Sequence, residues 1–281
     1  MTESQAASIT RSETWVPPEG ALGRLTAAAI VRAAALSSSA QTLEHAAARR
    51  EQGPSFLSAL RRHDVAVIAE LKRRSPSRGV INDALRVEDR AQDYTVAGAA
   101  ALSVLTESVH FGGSLADLHA ASEATKLPLL RKDFIVDRLQ LLEARAAGAS
   151  AVLLIARALS AVRFSELAAQ AHALGLDVLL EVRDERELER ALRVERAVIG
   201  INNRNLETLA VDDAVSAFLL PLVPVDRAAV YESGIHDRAG VMRAAEQGAD
   251  AVLVGSSLST ASNARAAVAA LTGVPRRGRG R

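Results

Sequence analysis

Lysine is scarce in this chain, and its positions suggest acid–base chemistry. Of the 34 basic residues, only Lys72, Lys126 and Lys132 are lysines, and all the others are arginines. Lysine can lose its proton when its surroundings change, whereas arginine stays charged in proteins. Lys72 stands two residues after Glu70, so a β-strand would place an ammonium and a carboxylate on the same side. Such a pair could hold a substrate anion or transfer a proton.

Polar residues also follow the other apolar runs of the chain. If these runs are parallel strands of one barrel, their carboxyl ends meet at one face, where active sites are built. Loops usually favour Gly, Pro, Ser and Asn, so charged residues within or directly after apolar runs indicate function. The residues at these ends are Glu70 and Lys72; Thr106 and Glu107; Lys132 and Asp133; Arg157; Glu181; Asn202, Asn203 and Arg204; Glu232, Ser233 and Gly234; and Gly255 and Ser256.

Two turns rich in glycine and serine are candidates for phosphate binding. One reads Glu-Ser-Gly-Ile at 232–235, and the other reads Gly-Ser-Ser at 255–257. In eight-stranded barrels, the turns after the seventh and eighth strands commonly bind phosphate through backbone N–H groups. The segment 75–79, Ser-Pro-Ser-Arg-Gly, adds hydroxyl groups and a cation after the first strand. Together these segments favour a phosphorylated substrate.

The elements that must position these residues are eight short strands separated by helical sequence. The apolar runs begin roughly 20 to 35 residues apart, enough for a strand, a loop and a helix. Eight such units predict an α/β fold, a (β/α)8 TIM barrel. An open doubly wound sheet is the competing arrangement, but no GxGxxG follows the first run. The runs are 65–71, 99–105, 127–130, 151–155, 176–182, 197–201, 228–231 and 251–254, and the clearest helical stretches are 137–149, 160–175 and 184–194.

The predicted barrel occupies residues 65–272, and sequence of a different kind flanks it. Residues 1–20 are polar and are expected to be disordered. Residues 21–64 are rich in alanine and leucine and are expected to form a helical extension. Residues 273–281 are expected to be a basic, flexible tail. Without the four arginines of this tail, the net charge of +1 becomes −3.

Composition argues against several classes of protein. A negatively charged body with 3% aromatic residues offers neither a basic track nor stacking surfaces for nucleic acid. The chain has no cysteine and no HExxH-type pair of histidines, so a thiolate site or a metal site is not expected. No apolar stretch near the start is long enough to span a bilayer, and the first residues lack a signal-peptide pattern. We therefore expect a cytoplasmic protein without membrane contact.

At these residues the chain resembles the indole-3-glycerol phosphate synthase family of tryptophan biosynthesis. The resemblance covers about residues 64–260 and implies a (β/α)8 barrel with a helical extension before the first strand. The matching segments are IAELKRRSPSRG (68–79), LSVLTE (102–107), FGGS (111–114), PLLRKDFIVD (128–137), AVLLIA (151–156), LLEV (179–182), IGINNRNL (199–206), ESGI (232–235) and VGSSL (254–258).

The resemblance implies a lyase that closes the pyrrole ring of 1-(2-carboxyphenylamino)-1-deoxyribulose 5-phosphate, with loss of carbon dioxide and water. Lys132 resembles the general acid for the carbonyl oxygen, and Glu181 resembles the base that assists dehydration. Lys72 resembles the lysine that contacts the carboxylate and could be a second acid, with Glu70 and Asn202 orienting it. Motifs alone leave the division of acid and base roles among these groups open. No metal or organic cofactor is implied, because rearomatisation drives the decarboxylation.

The resemblance also implies which residues bind the small-molecule substrate. Phosphate or other substrate contacts are implied for Ser75, Ser233, Gly234, Gly255 and Ser256. Phe111 and Phe134 would line a pocket for the aromatic ring, and Arg204 and Glu232 would complete its polar wall.

Two positions depart from the family pattern. Tyr231 stands where the family usually has a small residue, and His110 stands where a second aromatic residue is common. Strand parity gives Tyr231 the direction of Ser233 and the opposite direction to Glu232, but parity does not say which of them faces the barrel interior. An inward Tyr231 would narrow the pocket, whereas an outward one would pack against helices.

Two other functions fit some of the same residues. A Schiff-base aldolase could use a lysine inside a barrel to attack a carbonyl group. A non-catalytic paralogue could be a binding subunit in a complex with other tryptophan-pathway enzymes, although the retained acid, base and phosphate-binding groups favour catalysis.

Overall fold

A computed structural model of the chain describes residues 15–279. Residues 1–14, which belong to the segment expected to be disordered, lie outside the described residues. None of the helices within 15–279 combines the length and the apolar character needed to cross a membrane.

Eight parallel strands close into a barrel, which confirms the predicted fold. Each strand pairs with its neighbours in sequence, and β1 pairs with β8 to complete the ring. Val, Leu, Ile and Ala dominate these strands because one face is covered by helices and the other lies inside the barrel. The strands are β1 Ala66–Leu71, β2 Ala101–Leu105, β3 Leu129–Lys132, β4 Ala151–Ile155, β5 Asp177–Val182, β6 Val198–Asn202, β7 Ala229–Glu232 and β8 Ala251–Val254.

The third strand begins two residues later than the sequence predicts. Its residues are Leu129–Lys132 instead of 127–130, so Lys132 is its last residue. The apolar pattern misses this because Arg131 is a buried strand residue, 3% exposed. Its guanidinium donates to Thr106, Asp133, Glu143 and the Gln140 carbonyl, which compensates for its burial.

Helices follow the strands and cover the outside of the barrel. Several begin at a Ser, Asp or Asn whose side chain accepts a backbone N–H of the first turn, as at Ser114, Asp137, Ser160, Asp184 and Asp237. The helices of the barrel are α4 Val87–Val96, α5 Leu115–Ala124, α6 Arg138–Ala146, α7 Ala161–Ala173, α8 Glu185–Leu192, α9 Ala214–Leu219, α10 Arg238–Glu246, α11 Ser256–Thr260 and α12 Ala264–Ala269.

The segment before β1 is helical, and its first helix contacts the face that carries the carboxyl ends of the strands. It contains α1 Gly20–Ala35, α2 Ala40–Arg49 and α3 Phe56–Leu60. Leu22 and Leu25 of α1 are buried against the barrel. Arg32 of α1 donates to Asp133 Oδ1 at 2.9 Å and lies 3.6 Å from Glu107 Oε1, so α1 is joined to the loops after β2 and β3.

We expect Arg32→Ala to lower the free energy of unfolding by about 1–2 kcal/mol, because Asp133 and Glu107 are buried and lose a charged partner. The loss stays modest because Asp133 keeps Arg131 and Thr106 as partners. Urea unfolding measures the difference. Arg24→Ala is the control on the same helix, since Arg24 is exposed and has no ion pair within residues 15–279. Equal stability of the two variants would contradict this role of Arg32.

The described part of the C-terminal tail contacts the opposite face of the barrel. Val65 N donates to Val274 O at 2.8 Å, and Pro275 forms a β-bridge with Asp64. The buried carboxylate of Asp250 forms ion pairs with Arg276 and Arg279, the latter at 2.8 Å. Up to residue 279, the tail is therefore in contact with the barrel, and its arginines compensate a buried charge.

Candidate active site

One cavity, with an empty volume of about 1090 Å³, opens at the carboxyl ends of the strands. All of the residues that the sequence selects as catalytic or substrate-binding line it. They are Glu70, Lys72, Ser75, Phe111, Lys132, Phe134, Glu181, Asn202, Arg204, Glu232, Ser233, Gly234, Gly255 and Ser256. The remaining strand-end residues lie elsewhere, except Asp133, which also lines the cavity.

Glu70 and Lys72 form an ion pair on the inner side of β1. Lys72 Nζ lies 2.8 Å from Glu70 Oε1, and Ser103 Oγ donates to Glu70 Oε2 at 3.3 Å. Burial raises the pKa of the Glu70 carboxyl, but the charges of Lys72 and Lys132 outweigh this effect, so the pKa lies below its ordinary value. Glu70 is therefore an anion at neutral pH and holds the Lys72 ammonium in place.

The backbone of Gly255 passes directly beside this pair. A Cβ at position 255 would lie 2.3 Å from Glu70 Oε1 and 2.8 Å from Lys72 Nζ, so any side chain there would displace both groups. Position 255, after β8, therefore requires glycine, because the Glu70–Lys72 pair occupies the space that a side chain would need.

We expect Gly255→Ala to lower kcat/KM by about 10- to 100-fold if Glu70 and Lys72 act on the substrate, since displacement of such groups by about 1 Å has effects of that order. Steady-state kinetics measures the loss, and thermal unfolding checks the fold. Gly240→Ala is the control: its Cβ would lie 3.4 Å from the nearest atom, Ile235 Cδ1, and should leave the rate unchanged. A Gly255→Ala enzyme with normal kinetics would disprove the steric requirement.

Lys132 lies between two carboxylates near the centre of the cavity. Its Nζ is 3.5 Å from Glu181 Oε2 and 3.2 Å from Glu232 Oε2. Burial lowers the pKa of Lys132, but the negative charges of Glu232, Glu181 and Glu70 outweigh it and raise the pKa above its ordinary value. Lys132 is therefore a protonated amine in the free enzyme, as a general acid must be.

The carboxyl group of Glu232 has a strongly raised pKa. Burial, together with the charges of Glu181 and Glu70, raises its pKa to about 7 against the opposite effect of Lys132. Its Oε1 has no hydrogen-bond partner within the described residues. The carboxylate occupies the space beside Gly200, because a Cβ added to this glycine would lie 2.1 Å from Glu232 Oε1. Three carboxylates share two lysines here, and the raised pKa means that the Glu232 carboxyl is partly protonated near neutral pH.

Asn202 connects the loops after β6 and β7. Its Oδ1 accepts hydrogen bonds from Ser233 Oγ and from Arg204 N, both at 2.9 Å. Ser233 has φ +66 and Gly234 has φ +89, so the chain turns sharply after β7. This left-handed backbone is uncommon for serine and is held by Asn203 Nδ2, which donates to the Ser233 carbonyl.

Two aromatic rings form one wall of the cavity. The ring centroids of Phe111 and Phe134 are 6.2 Å apart with an interplanar angle of 40°. Phe111 lies in a loop whose backbone N–H groups, including that of His110, donate to the buried Glu107 carboxylate. The His110 side chain does not line the cavity.

Tyr231 points away from the cavity. Glu232 faces Lys132 inside the barrel, so its neighbour Tyr231 must face outward by strand parity. Tyr231 is 4% exposed, and burial and nearby Asp213 raise the pKa of its hydroxyl to about 12. Tyr231 therefore packs outside the barrel wall and does not narrow the site.

Comparison with known proteins agrees with this geometry. The family model described as indole-3-glycerol phosphate synthase matches residues 25–271, nearly the whole chain. The chain belongs to the indole-3-glycerol phosphate synthase family. A relative from Nocardioides sp. with that name is 50% identical over 209 residues, which cover 74% of this chain and 80% of the relative. Another, from Burkholderia vietnamiensis, is 49% identical over 220 residues, 76% of this chain and 84% of the relative.

More distant solved structures share the barrel fold. A 3-hexulose-6-phosphate synthase from Salmonella typhimurium has a TM-score of 0.59 at 15% identity, over 74% of this chain and 96% of that one. A thiamine phosphate pyrophosphorylase from Pyrococcus furiosus has a TM-score of 0.55 at 15% identity, over 75% and 95%. At this identity the likeness concerns the fold alone.

Several residues that line this synthase-family cavity were not identified from the sequence. Leu25 reaches it from α1, and Leu206 and Leu209 reach it from the loop after β6. Arg78 and His236 also line it, although the sequence gives them no individual role. The signal for Arg78 was its place in the segment after β1; nothing in the sequence signals Leu25, because its position depends on how α1 packs.

Proposed function

We propose that this member of the synthase family converts 1-(2-carboxyphenylamino)-1-deoxyribulose 5-phosphate to indole-3-glycerol phosphate. The observation that carries the proposal is the position of Lys132 between Glu181 and Glu232, within one cavity that also holds the Lys72–Glu70 pair. The reaction needs an acid, a base, a cation for a carboxylate and a phosphate site, and the family membership of the chain adds to this fit.

The first step is ring closure at the substrate's carbonyl carbon. An aromatic carbon attacks this carbon, and the carbonyl oxygen gains negative charge. Lys132, kept protonated by its carboxylate neighbours, donates a proton to this oxygen and leaves a hydroxyl group. An alkoxide is a stronger base than an amine, so proton transfer from the ammonium becomes favourable as the bond forms.

The second step is loss of the carboxyl group. Lys72 binds the substrate carboxylate, while Glu70 and Asn202 keep the lysine in position. Release of carbon dioxide restores the aromatic ring, which supplies the driving force. This step requires no metal or organic cofactor.

The third step is dehydration. Glu181 accepts a proton from the ring-closed intermediate, and the hydroxyl group formed in the first step leaves as water after protonation by Lys72, which has kept its proton. Glu181 then passes its proton to Lys132, which lost its own in the first step. Glu181 and Lys132 are only 3.5 Å apart, which suits this proton transfer.

Substrate binding uses the rest of the cavity wall. Backbone N–H groups of the turns at Ser233–Gly234 and Gly255–Ser256 bind the phosphate, with Ser75 as a hydroxyl donor. The aromatic ring lies against Phe111 and Phe134, and Arg204 and Glu232 complete the polar wall. We include in the same proposal a cytoplasmic location and contacts with other enzymes of tryptophan biosynthesis.

The test is to incubate the purified protein with the carboxyphenylamino sugar phosphate and to follow indole fluorescence. Fluorescence that grows with enzyme concentration supports the proposal, and no product at any concentration contradicts it. A Schiff-base aldolase is distinguished by borohydride trapping with a ketose phosphate, which should give no adduct at Lys72 or Lys132. A non-catalytic paralogue is excluded if turnover is present in the wild type and absent in folded Lys132→Ala.

A further inference from the structure

Arg78 differs from the other arginines of its segment. It lies in the turn between two short antiparallel strands, Arg74–Ser75 and Gly79–Val80, which follow β1. Arg78 N donates to Ser75 O at 3.3 Å and closes the turn. The side chain lines the main cavity, yet within residues 15–279 it has no ion pair and no hydrogen bond.

The neighbouring arginines show that this segment does contain acidic partners. Arg73 binds both oxygens of Asp117, at 2.7 and 2.9 Å, and Arg74 binds both oxygens of Asp83, at 2.8 and 2.9 Å. These bonds fix the hairpin from outside the cavity. Arg78, which is exposed, thus extends from an anchored hairpin toward the cavity without an acidic partner within residues 15–279.

Arg204 presents a second guanidinium group to the same cavity. One of its nitrogens donates to the carbonyl of Leu209 at 2.8 Å, which leaves other N–H groups for a ligand. Leu209 has φ +67, an uncommon conformation for leucine, so a strained turn holds Arg204 in place. Burial lowers the pKa of Arg204, and the charge of Arg78 lowers it further, so the two cations repel each other.

A polar group without a partner lies on the same side of the cavity. Ser75 is 8% exposed, and its Oγ has no hydrogen-bond partner within the described chain. By contrast, Lys72 and Lys132 are each already in contact with a carboxylate. The cavity therefore has a spare donor and two repelling guanidinium groups, an arrangement that an anion would stabilise.

We propose that Arg78 is a further substrate-binding residue, which together with Arg204 binds one anionic group of the substrate. The inference rests on the proposed function and adds a residue to it. A guanidinium donates two parallel hydrogen bonds to either a carboxylate or a phosphate, and the substrate has one of each. Because this contact is made before and during the reaction alike, it lowers KM and leaves kcat nearly unchanged.

The experiment compares wild type, Arg78→Ala and Arg78→Lys with the carboxyphenylamino sugar phosphate. We expect Arg78→Ala to raise KM about tenfold with kcat within about twofold, and Arg78→Lys to recover part of the affinity. Arg86→Ala is the matched control: it removes an exposed arginine that lies between the hairpin and α4 and does not line the cavity, so its KM should stay at the wild-type value. If Arg78→Ala has the same KM as Arg86→Ala, the proposal is overturned.

Two competitive inhibitors identify the anionic group. Anthranilate provides the carboxylate without phosphate, and inorganic phosphate provides the other group. A weaker inhibition of Arg78→Ala by either probe supports the proposal and assigns the group; unchanged inhibition by both, with an unchanged KM, overturns it. A wild-type enzyme that forms no product would instead contradict the proposed function, so the two failures are distinguishable.

Discussion

Replacing Lys132 with arginine should leave a folded, correctly charged protein with kcat lowered by about a hundred- to ten-thousandfold, the range of general acid catalysis. KM should change little, because the positive charge remains between Glu181 and Glu232. Arginine stays protonated when the substrate oxygen becomes basic, so it can stabilise the charge without transferring the proton. Indole fluorescence measures turnover, and circular dichroism with thermal unfolding checks the fold.

The other two lysines are controls within the same chain. Lys126 is exposed and lies outside the main cavity, so Lys126→Arg should have the wild-type rate. Lys72→Arg should leave ring closure and decarboxylation intact, unlike Lys132→Arg, because a contact to a carboxylate needs charge and hydrogen bonds more than proton transfer. A Lys132→Arg enzyme with near-normal turnover would refute the acid role.

Packing could also explain a loss of activity, since arginine is larger than lysine in a buried position. Lys132→Ala removes this objection, and added methylamine could then restore part of the turnover by replacing the missing amine. Recovery that increases with amine concentration supports proton donation. Absence of recovery together with an active Lys132→Arg enzyme would assign Lys132 a purely electrostatic function.

The barrel was predictable because its signal is local and repeated. Strands covered on both faces need unbroken apolar residues, so the eight runs are visible without any tertiary information. The error at β3 shows the limit of this signal. Arg131 is polar in the sequence and buried in the structure, because its guanidinium donates four hydrogen bonds to partners on α6 and in the loops after β2 and β3. Such compensation depends on tertiary contacts that a single sequence does not show.

The cavity lining was predictable for a different reason. Barrel closure brings the carboxyl ends of all strands to one face, so most of the residues selected at those ends line one cavity. Thr106, Glu107, Arg157 and Asn203 do not line it. The direction of Tyr231 was open because parity relates neighbours only to each other. The contact of Glu232 with Lys132 fixes one residue as inward and thereby fixes Tyr231 as outward. Leu25 and Arg32 stayed unassigned because the packing of α1 has no local signal.

Replacing Glu181 with glutamine should separate the later chemistry from ring closure. Glutamine keeps the shape and loses the base, so we expect kcat for indole formation to fall by about a hundredfold or more. The matched control is Glu187→Gln. Glu187 is also buried, but its carboxylate accepts the N–H of Arg183 at the start of α8, and glutamine can accept the same bond. This control should keep its activity.

A single-turnover experiment with isotope in the substrate carboxyl group decides which step Glu181 assists. If Glu181 is the base of dehydration, Glu181→Gln should release labelled carbon dioxide well before indole fluorescence appears. Lys132→Arg should delay both signals together, because ring closure precedes both losses. Equal delays of both signals in Glu181→Gln would place Glu181 in ring closure or decarboxylation. The side chains of Glu181 and Lys132 lie 3.5 Å apart. A difference in timing between the two variants would therefore reflect different chemical roles and not different distances from the substrate.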